Sequence, residues 1–328
     1  MLVDAFGREV TDIRISVTKR CNFGCIYCHD EGLGPVLRPR MPHEDEMAVD
    51  EIVRIVKVAR EFGVRSVKYT GGEPLVRQDM EAIVDRTVRH IPDVSMTTNG
   101  SMLAARAEGL RDAGLKRVNV SIDSLDPDAF RDIRKGELAP VLRGIQKAVE
   151  VGLKPVKLNM VVFERTLPYI PAMIDYIGKG DGLKLQLIQF MPELVGERDW
   201  DVDIDGVKKW LEQRADQVLV REMHHRHIYI FNGAEVEVVD PVHSAEFCFN
   251  CHRIRVTHEG KLKGCLNRND DLIATRGLDD DGLRDAFRRV VANRVPFYGA
   301  YVKDYPRRDP AHAKPIPLEV VPPAKVAG

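Results

Sequence analysis

The chain has 328 residues, 44% of them hydrophobic and 30% charged, a composition that excludes disordered and collagen-like classes and leaves room for one large or two modest domains. Its 49 Lys+Arg offset 50 Asp+Glu to a formal charge of −1, so it offers no broad basic surface for nucleic acid, and any anion must be held by a local cluster of cations. No apolar run approaches the roughly 18 to 20 residues that cross a bilayer, and the opening MLVDAFGREV has no basic segment followed by an apolar one; the expectation is a cytoplasmic protein that binds neither membrane nor nucleic acid.

In chain order, six short β-branched runs stand out: IRISV (13–17), SVKYT (66–70), VSMTT (94–98), RVNVSI (117–122), VKLNMVV (156–162) and KLQLIQF (184–190). They read as buried parallel strands. Between them, apolar residues recur at three- and four-residue spacing, as in Ile52, Val53, Val56 and Ala59, which reads as crossover helices. Asp50 is a candidate helix cap, Gly63 and Gly114 are candidate helix stops, and Pro168 and Pro171 open a further helix. Six such units build either an open doubly wound sheet or an incomplete barrel, and in both, ligands gather beyond the carboxyl ends of the strands. After residue 200 come a helix-like segment (205–218), a polar histidine-rich stretch and a hairpin at Asn232-Gly233. Glu259-Gly260 is a turn that returns Cys265 toward Cys251, and from Pro306 the chain is a Pro-, Ala- and Lys-rich tail.

The six cysteines form two groups of three, Cys21, Cys25, Cys28 and Cys248, Cys251, Cys265, with no cysteine between them. An odd number per group does not suit internal disulfides, and in a reducing compartment such clusters bind metal more often than they bridge. In CNFGCIYC the thiols are close enough for one loop to wrap three corners of a [4Fe–4S] cube. A cube one thiolate short keeps one iron open to a small chelating molecule. Zinc or buried thiols remain the alternatives for this triad on spacing alone. In the second group, FCFNCHRIRVTHEGKLKGCL, His243, His252 or His258 completes a Cys3His zinc site equally well on spacing.

With Tyr27 before the third cysteine and GGEP (Gly71 to Pro74) after the second strand, the first group resembles the radical S-adenosylmethionine superfamily. The stretches DAFGREVTDIRISVTKRCNFGCIYC and KYTGGEPLVR, together with the second cysteine group, resemble the GTP 3′,8-cyclase family of molybdenum cofactor biosynthesis over about residues 3 to 300, with CHDEG in an archaeal-like form. That resemblance implies an α/β fold, an incomplete (βα)6 TIM-type barrel with a C-terminal iron–sulfur extension. It divides the chain into a barrel over 1–225 with the first [4Fe–4S] cluster, an extension over 226–305 with a second [4Fe–4S] cluster, and a flexible tail over 306–328.

The resemblance also implies roles. Cys21, Cys25, Cys28 and Cys248, Cys251, Cys265 are the cluster ligands, with no catalytic residue beyond cluster and cofactor ligands. Tyr27, Gly71, Gly72, Glu73, Ser121 and Met191 contact S-adenosylmethionine, while Arg14, Lys68, Thr97, Lys157, Arg253 and Arg255 contact GTP. The implied reaction takes the ribose 3′ hydrogen with a 5′-deoxyadenosyl radical and joins C3′ to C8 of guanine; a second reduction and protonation then give 3′,8-cyclo-7,8-dihydro-GTP, the first step toward molybdopterin. Implied partners are a reduced flavodoxin or ferredoxin, the next enzyme of that synthesis by product hand-off, and a second copy in a homodimer. The chain ends PPAKVAG, whereas the family commonly ends in two glycines.

Rival readings are a related radical enzyme acting on another nucleotide or on a peptide, and a non-catalytic metal-binding homologue. The pair Arg253 and Arg255 favours a triphosphate, since a peptide-modifying enzyme has no need of it. The run His224, His225, Arg226, His227 reads as solvated charge, Asp123 as a ligand-orienting or capping carboxylate, and Asp279–Asp281 as a turn before a helix.

Overall fold

The computed structural model describes residues 1–32, 45–221, 226–242 and 244–296. All six expected strands form: β1 (Asp12–Ser16), β2 (Ser66–Thr70), β3 (Asp93–Thr98), β4 (Arg117–Ser121), β5 (Val156–Val162) and β6 (Leu183–Gln189). They lie side by side, parallel and in sequence order. Crossover helices separate them: α1 (Val49–Glu61), α2 (Met80–Val88), α3 (Leu103–Asp112), α4 (Pro127–Arg134), α5 (Leu138–Glu150) and α6 (Ile170–Gly178). The start of α1 differs from expectation. Asp50 lies in its first turn, and Glu51 reaches back to accept the Ala48 N–H at 2.7 Å, half of a capping box that places the cap at Ala48, two residues earlier. Gly63 and Gly114 do follow helices, at φ +93° and +100°.

After α7 (Pro192–Val195) and α8 (Ile204–Glu212), the helix expected over 205–218 stops short. Val218 and Val220 belong instead to β7 (Gln217–Val220), because β-branched residues beside a partner strand gain more from sheet than from helix. β7 pairs antiparallel with β8 (His227–Phe231), which turns at Asn232-Gly233, both at positive φ, into β9 (Ala234–Val239). β9 joins the β6 edge in parallel. The chain then runs through α9 (Ala245–Phe249) to β10 (Arg253–Val256), which pairs in parallel with β1 at the other edge. β11 (Lys261–Lys263) and β12 (Ile273–Ala274) follow antiparallel, and α10 (Asp280–Ala292) packs on α1 through Phe62 and Phe287. The order β12-β11-β10-β1-β2-β3-β4-β5-β6-β9-β8-β7 thus holds eight consecutive parallel strands.

The strands alternate with period two, and this alternation positions the site. Ile13, Ile15, Val67, Tyr69, Val94, Met96, Val118, Val120, Leu158 and Leu185 are buried in one large apolar cluster with the helices. The opposite face carries Asp12, Arg14, Ser66, Lys68, Ser95, Asn119, Lys157, Asn159, Gln186 and Glu237, which the sheet register sets in staggered rows: Asp12–Ser66, Arg14–Lys68–Ser95, Asn119–Lys157 and Asn159–Gln186–Glu237. A cavity of about 280 Å³ is lined at once by Arg253 of β10 and by Gln186 of β6, from opposite edges of the eight-strand run, so the sheet curls around a polar interior. No helix among the described residues is long and apolar enough to cross a membrane. The tail from residue 306, with His224, His225 and His243, lies outside the described residues.

Candidate active site at the two ends of the sheet

The first cysteine group leaves the carboxyl end of β1, and its loop is clamped by the turn after β2. The N–H groups of Gly72 and Glu73 donate to the carbonyls of Thr18 and Arg20, each at 2.7 Å. The approach needs glycine: a Cβ at Gly71 would lie 2.4 Å from the Thr18 oxygen, and one at Gly72 would lie 2.2 Å from the Arg20 oxygen. Glu73 is fully buried and accepts from Leu75 N (3.0 Å), Thr98 Oγ1 (2.7 Å) and Asn99 N (2.6 Å), tying the β2 and β3 turns together. Burial raises its carboxyl against these hydrogen bonds.

Around the thiols, Phe23 N–H points at Cys21 Sγ (3.4 Å) and Asn99 Nδ2 lies 4.0 Å from it. Tyr27 gives its hydroxyl to Asp123 and receives Arg134, while its ring packs edge-on to Phe163. Burial raises all three thiols, Cys25 to about 12, and the Arg134 guanidinium opposes it. Three thiols, amide donors and a buried cation suit a group with anionic sulfur ligands. Met191 is buried and Ser121 half-buried at the ends of β6 and β4, so Tyr27, Gly71, Gly72, Glu73, Ser121 and Met191 all sit at the carboxyl end of the sheet.

The second group lies at the opposite end. Cys248 and Cys251 precede β10, whose Arg253 is level with Asp12 at the start of β1, and β11 runs back antiparallel to deliver Cys265 beside them. The amino-terminal segment holds this loop: Arg8 donates to the Cys248 carbonyl (2.9 Å) and Arg294 to the Cys251 carbonyl (2.7 Å), both arginines facing Asp4. Both arginines are buried; Arg294 Nη1 faces Asp4 at 3.5 Å, while Arg8 Nη2 and Arg294 Nε have no hydrogen-bond partner. Buried, unpartnered guanidinium donors beside three thiols fit an anionic metal–sulfur group. None of the six cysteines is in a disulfide. Of the zinc candidates, His252 Nδ1 lies 2.9 Å from the Glu9 carbonyl, and both ring nitrogens of buried His258 lack a hydrogen bond. Among the described residues no three His, Cys, Asp or Glu side chains gather as a single-ion site.

Between the two ends run the expected substrate cations. Arg14, Lys68 and Lys157 point inward; Lys68 Nζ donates to Asn119 (3.2 Å), and burial pushes its ammonium well down, helped by Arg14 and Arg253. Thr97 Oγ1 is buried without a partner. Arg253 lies 3.7 Å from Asp12.

Two carboxylates that sequence reading missed organise the rest. Glu31, three residues past Cys28 at φ +53°, takes Arg255 at 2.6 Å and the Thr70 hydroxyl at 2.8 Å, with Arg14 at 4.0 Å. Burial alone would raise it, but Arg14 and Arg255 hold it down to about 2. Its carbonyl and that of Gly32 receive Lys263 Nζ at 3.3 Å each, and a Cβ at Gly32 would strike the Leu266 carbonyl, so the segment after the first triad is stitched to the one carrying Cys265. Glu237 on β9 meets Lys157 (3.4 Å), Arg221 (3.1 Å), Arg226 (3.4 Å) and the Gln186 amide. Neither carboxylate belongs to a local motif; only the fold brings the cations to them. Glu31→Gln is expected to cost about 2 kcal/mol at neutral pH, read as a lower urea midpoint. Because the folded pKa lies below the unfolded 4.5, the difference from wild type should shrink as pH falls from about 4.5 toward 2.

Residues 15–177 match the radical SAM superfamily, and residues 183–299 match the family described as Molybdenum Cofactor Synthesis C. A probable GTP 3′,8-cyclase of Halobacterium salinarum is 50% identical over 92% of this chain and 91% of its own length. The chain belongs to the GTP 3′,8-cyclase family. The probable cyclase of Methanocella arvoryzae is 43% identical over 91% of this chain and 95% of its own. Family membership carries with it a [4Fe–4S] cluster and S-adenosylmethionine. Among solved structures, SuiB of Streptococcus suis bound to its precursor peptide SuiA matches at TM-score 0.61 and 16% identity, covering 86% of this chain and 67% of that one. Native anSMEcpe with bound AdoMet matches at 0.53 and 16%, covering 85% and 81%. These two share the radical S-adenosylmethionine fold with the cyclase family.

Proposed function

We infer that this chain converts GTP to 3′,8-cyclo-7,8-dihydro-GTP, the first step of molybdenum cofactor biosynthesis, and that it carries a second [4Fe–4S] cluster on Cys248, Cys251 and Cys265. The observation that carries the reading is the placement of two three-thiol groups at opposite ends of one curled sheet whose inner face is lined with cations. The chain divides in role near residue 225: the preceding part holds S-adenosylmethionine and the following part holds the base. When bound, the first cluster supplies the electron that cleaves S-adenosylmethionine to the 5′-deoxyadenosyl radical.

The chain's own task is positioning. Gly71 and Gly72 keep the first thiol loop pressed on the sheet, and Glu73, Ser121 and Met191 border the end where S-adenosylmethionine would lie. Thr97, with its unpartnered hydroxyl, and Lys68, Lys157 and Arg253 face the space between the groups, where a nucleotide pinned at one end presents its ribose to the other. Arg14 and Arg255 reach the same space but share their charge with Glu31. The apolar shell of Phe163, Phe190 and Trp200 at the carboxyl end keeps water from the radical source. An electron donor of flavodoxin or ferredoxin type, product hand-off to the next enzyme, and a homodimer complete the proposal.

Anaerobic turnover of the reconstituted full chain with dithionite, S-adenosylmethionine and GTP tests it. The expected products are 5′-deoxyadenosine and a cyclised guanine nucleotide in equal amounts. Deoxyadenosine without a cyclised nucleotide would leave the radical chemistry and overturn the substrate.

A further inference from the structure

We propose that Arg221 and Arg226, fixed by Glu237, grip the polyphosphate end of the nucleotide and make the site select a triphosphate over shorter forms; this rests on the cyclase reading above. Both residues stand outside strands β1 to β6, at the two ends of the β7–β8 connection, where Arg221 N–H donates to the Arg226 carbonyl at 2.9 Å. Both line the cavity of about 280 Å³ at the amino-terminal ends of the strands, together with Lys157, Gln186, Arg117 and Arg253.

The charge on the cavity wall is uneven. Arg117 is matched one for one by Asp93, through contacts of 2.6 and 3.0 Å, and Arg253 faces Asp12. On the other side three cations, Lys157, Arg221 and Arg226, converge on the single carboxylate of Glu237. Arg65 adds a further cation on the β2 side, and the larger share of the cavity's surplus positive charge lies on the β9 side. Gln186, the inward residue of β6 there, is neutral and gives its amide to Glu237, so the cations facing an anion from this side come from β5 and from the β7–β8 connection. Arg226 is 8% exposed, and its Nε faces Glu237 Oε1 at 3.4 Å, an ion pair without hydrogen-bond geometry. A buried guanidinium whose one carboxylate partner is shared with two further cations, beside a cavity open to a ligand, has charge left for an anion, and its planar fork suits phosphate oxygens. Arg226 thereby leaves the solvated-charge reading given to the run at 224–227.

The test is equilibrium dialysis of the anaerobically reconstituted full chain with GTP, GDP and GMP, and displacement of GTP by inorganic tripolyphosphate. Arg221→Gln, on a partly exposed side chain, and Arg226→Gln are each expected to weaken GTP binding about tenfold or more, to leave GMP within about twofold, and to raise the tripolyphosphate needed for displacement. Arg226→Lys, which keeps the charge, should recover part of the loss. Equal loss for GTP and GMP, or no loss for either arginine, overturns the assignment. Wild type that binds no nucleotide overturns both this and the cyclase reading. Wild type that binds ATP, dialysed in parallel, as tightly as GTP overturns the guanine substrate, and the triphosphate-to-monophosphate ratio of the variants still decides the arginines.

Discussion

Gly72→Ala should empty the first cysteine triad of iron while sparing the second. The new methyl would stand 2.2 Å from the Arg20 carbonyl and 2.6 Å from that of Lys19, both backbone atoms that have no rotamer to escape into. The loop carrying Cys21 must then move away from the β2 turn and break the paired 2.7 Å hydrogen bonds that clamp it. A displacement of about 1 Å at a reacting centre costs on the order of a hundredfold in rate, and a thiolate displaced from its iron costs the cluster itself. The expected result is an iron content near half that of wild type, loss of S-adenosylmethionine cleavage, and an unchanged spectroscopic signal from the second site. Iron and sulfide analysis with electron paramagnetic resonance checks all three.

Glu237→Ala should be the most destabilising single change on the inner face. It leaves Lys157, Arg221 and Arg226 converging on no counter-charge, and removing one partner of a buried ion cluster costs about 3–5 kcal/mol. Burial favours the neutral carboxyl, yet Arg226 and Lys157 hold it down to about 2. Since the unfolded value is 4.5, the stabilisation is complete above that pH and is lost as pH falls toward about 2. Urea unfolding of wild type and variant should therefore differ most at neutral pH and converge in acid. An equal difference at both ends of the range would mean that lost packing, not charge, sets the cost.

The legible part of this protein follows one distinction. The strands, the crossovers, the hairpin at Asn232-Gly233 and the turn at Glu259-Gly260 are written in local patterns of period two, period 3.6 and glycine placement. The spacing of the first triad, with GGEP after β2, pointed to the radical S-adenosylmethionine superfamily in the same local way, whereas the spacing of the second group left zinc open. Glu31, Glu237, Arg134 and the Arg8–Asp4–Arg294 cluster were not legible, because each acts through partners brought to it by the fold: Glu31 meets Arg255 224 positions away, and Arg8 meets Cys248 240 positions away. Tyr27 was placed by its motif position beside S-adenosylmethionine, and the structure commits its hydroxyl to Asp123 and Arg134, a use no spacing announces. The same holds for Gly71 and Gly72, whose steric need arises from the Thr18–Arg20 backbone.

The most direct test of the account is the metal content of the full chain reconstituted without oxygen, read together with its paramagnetic signals as each small molecule is added. Two cubes with three thiolates each predict about eight irons and eight sulfides per chain, a signal from the first site that shifts with S-adenosylmethionine, and a signal from the second that shifts with GTP. About four irons per chain, zinc on Cys248, Cys251 and Cys265, or a second signal indifferent to GTP would contradict it.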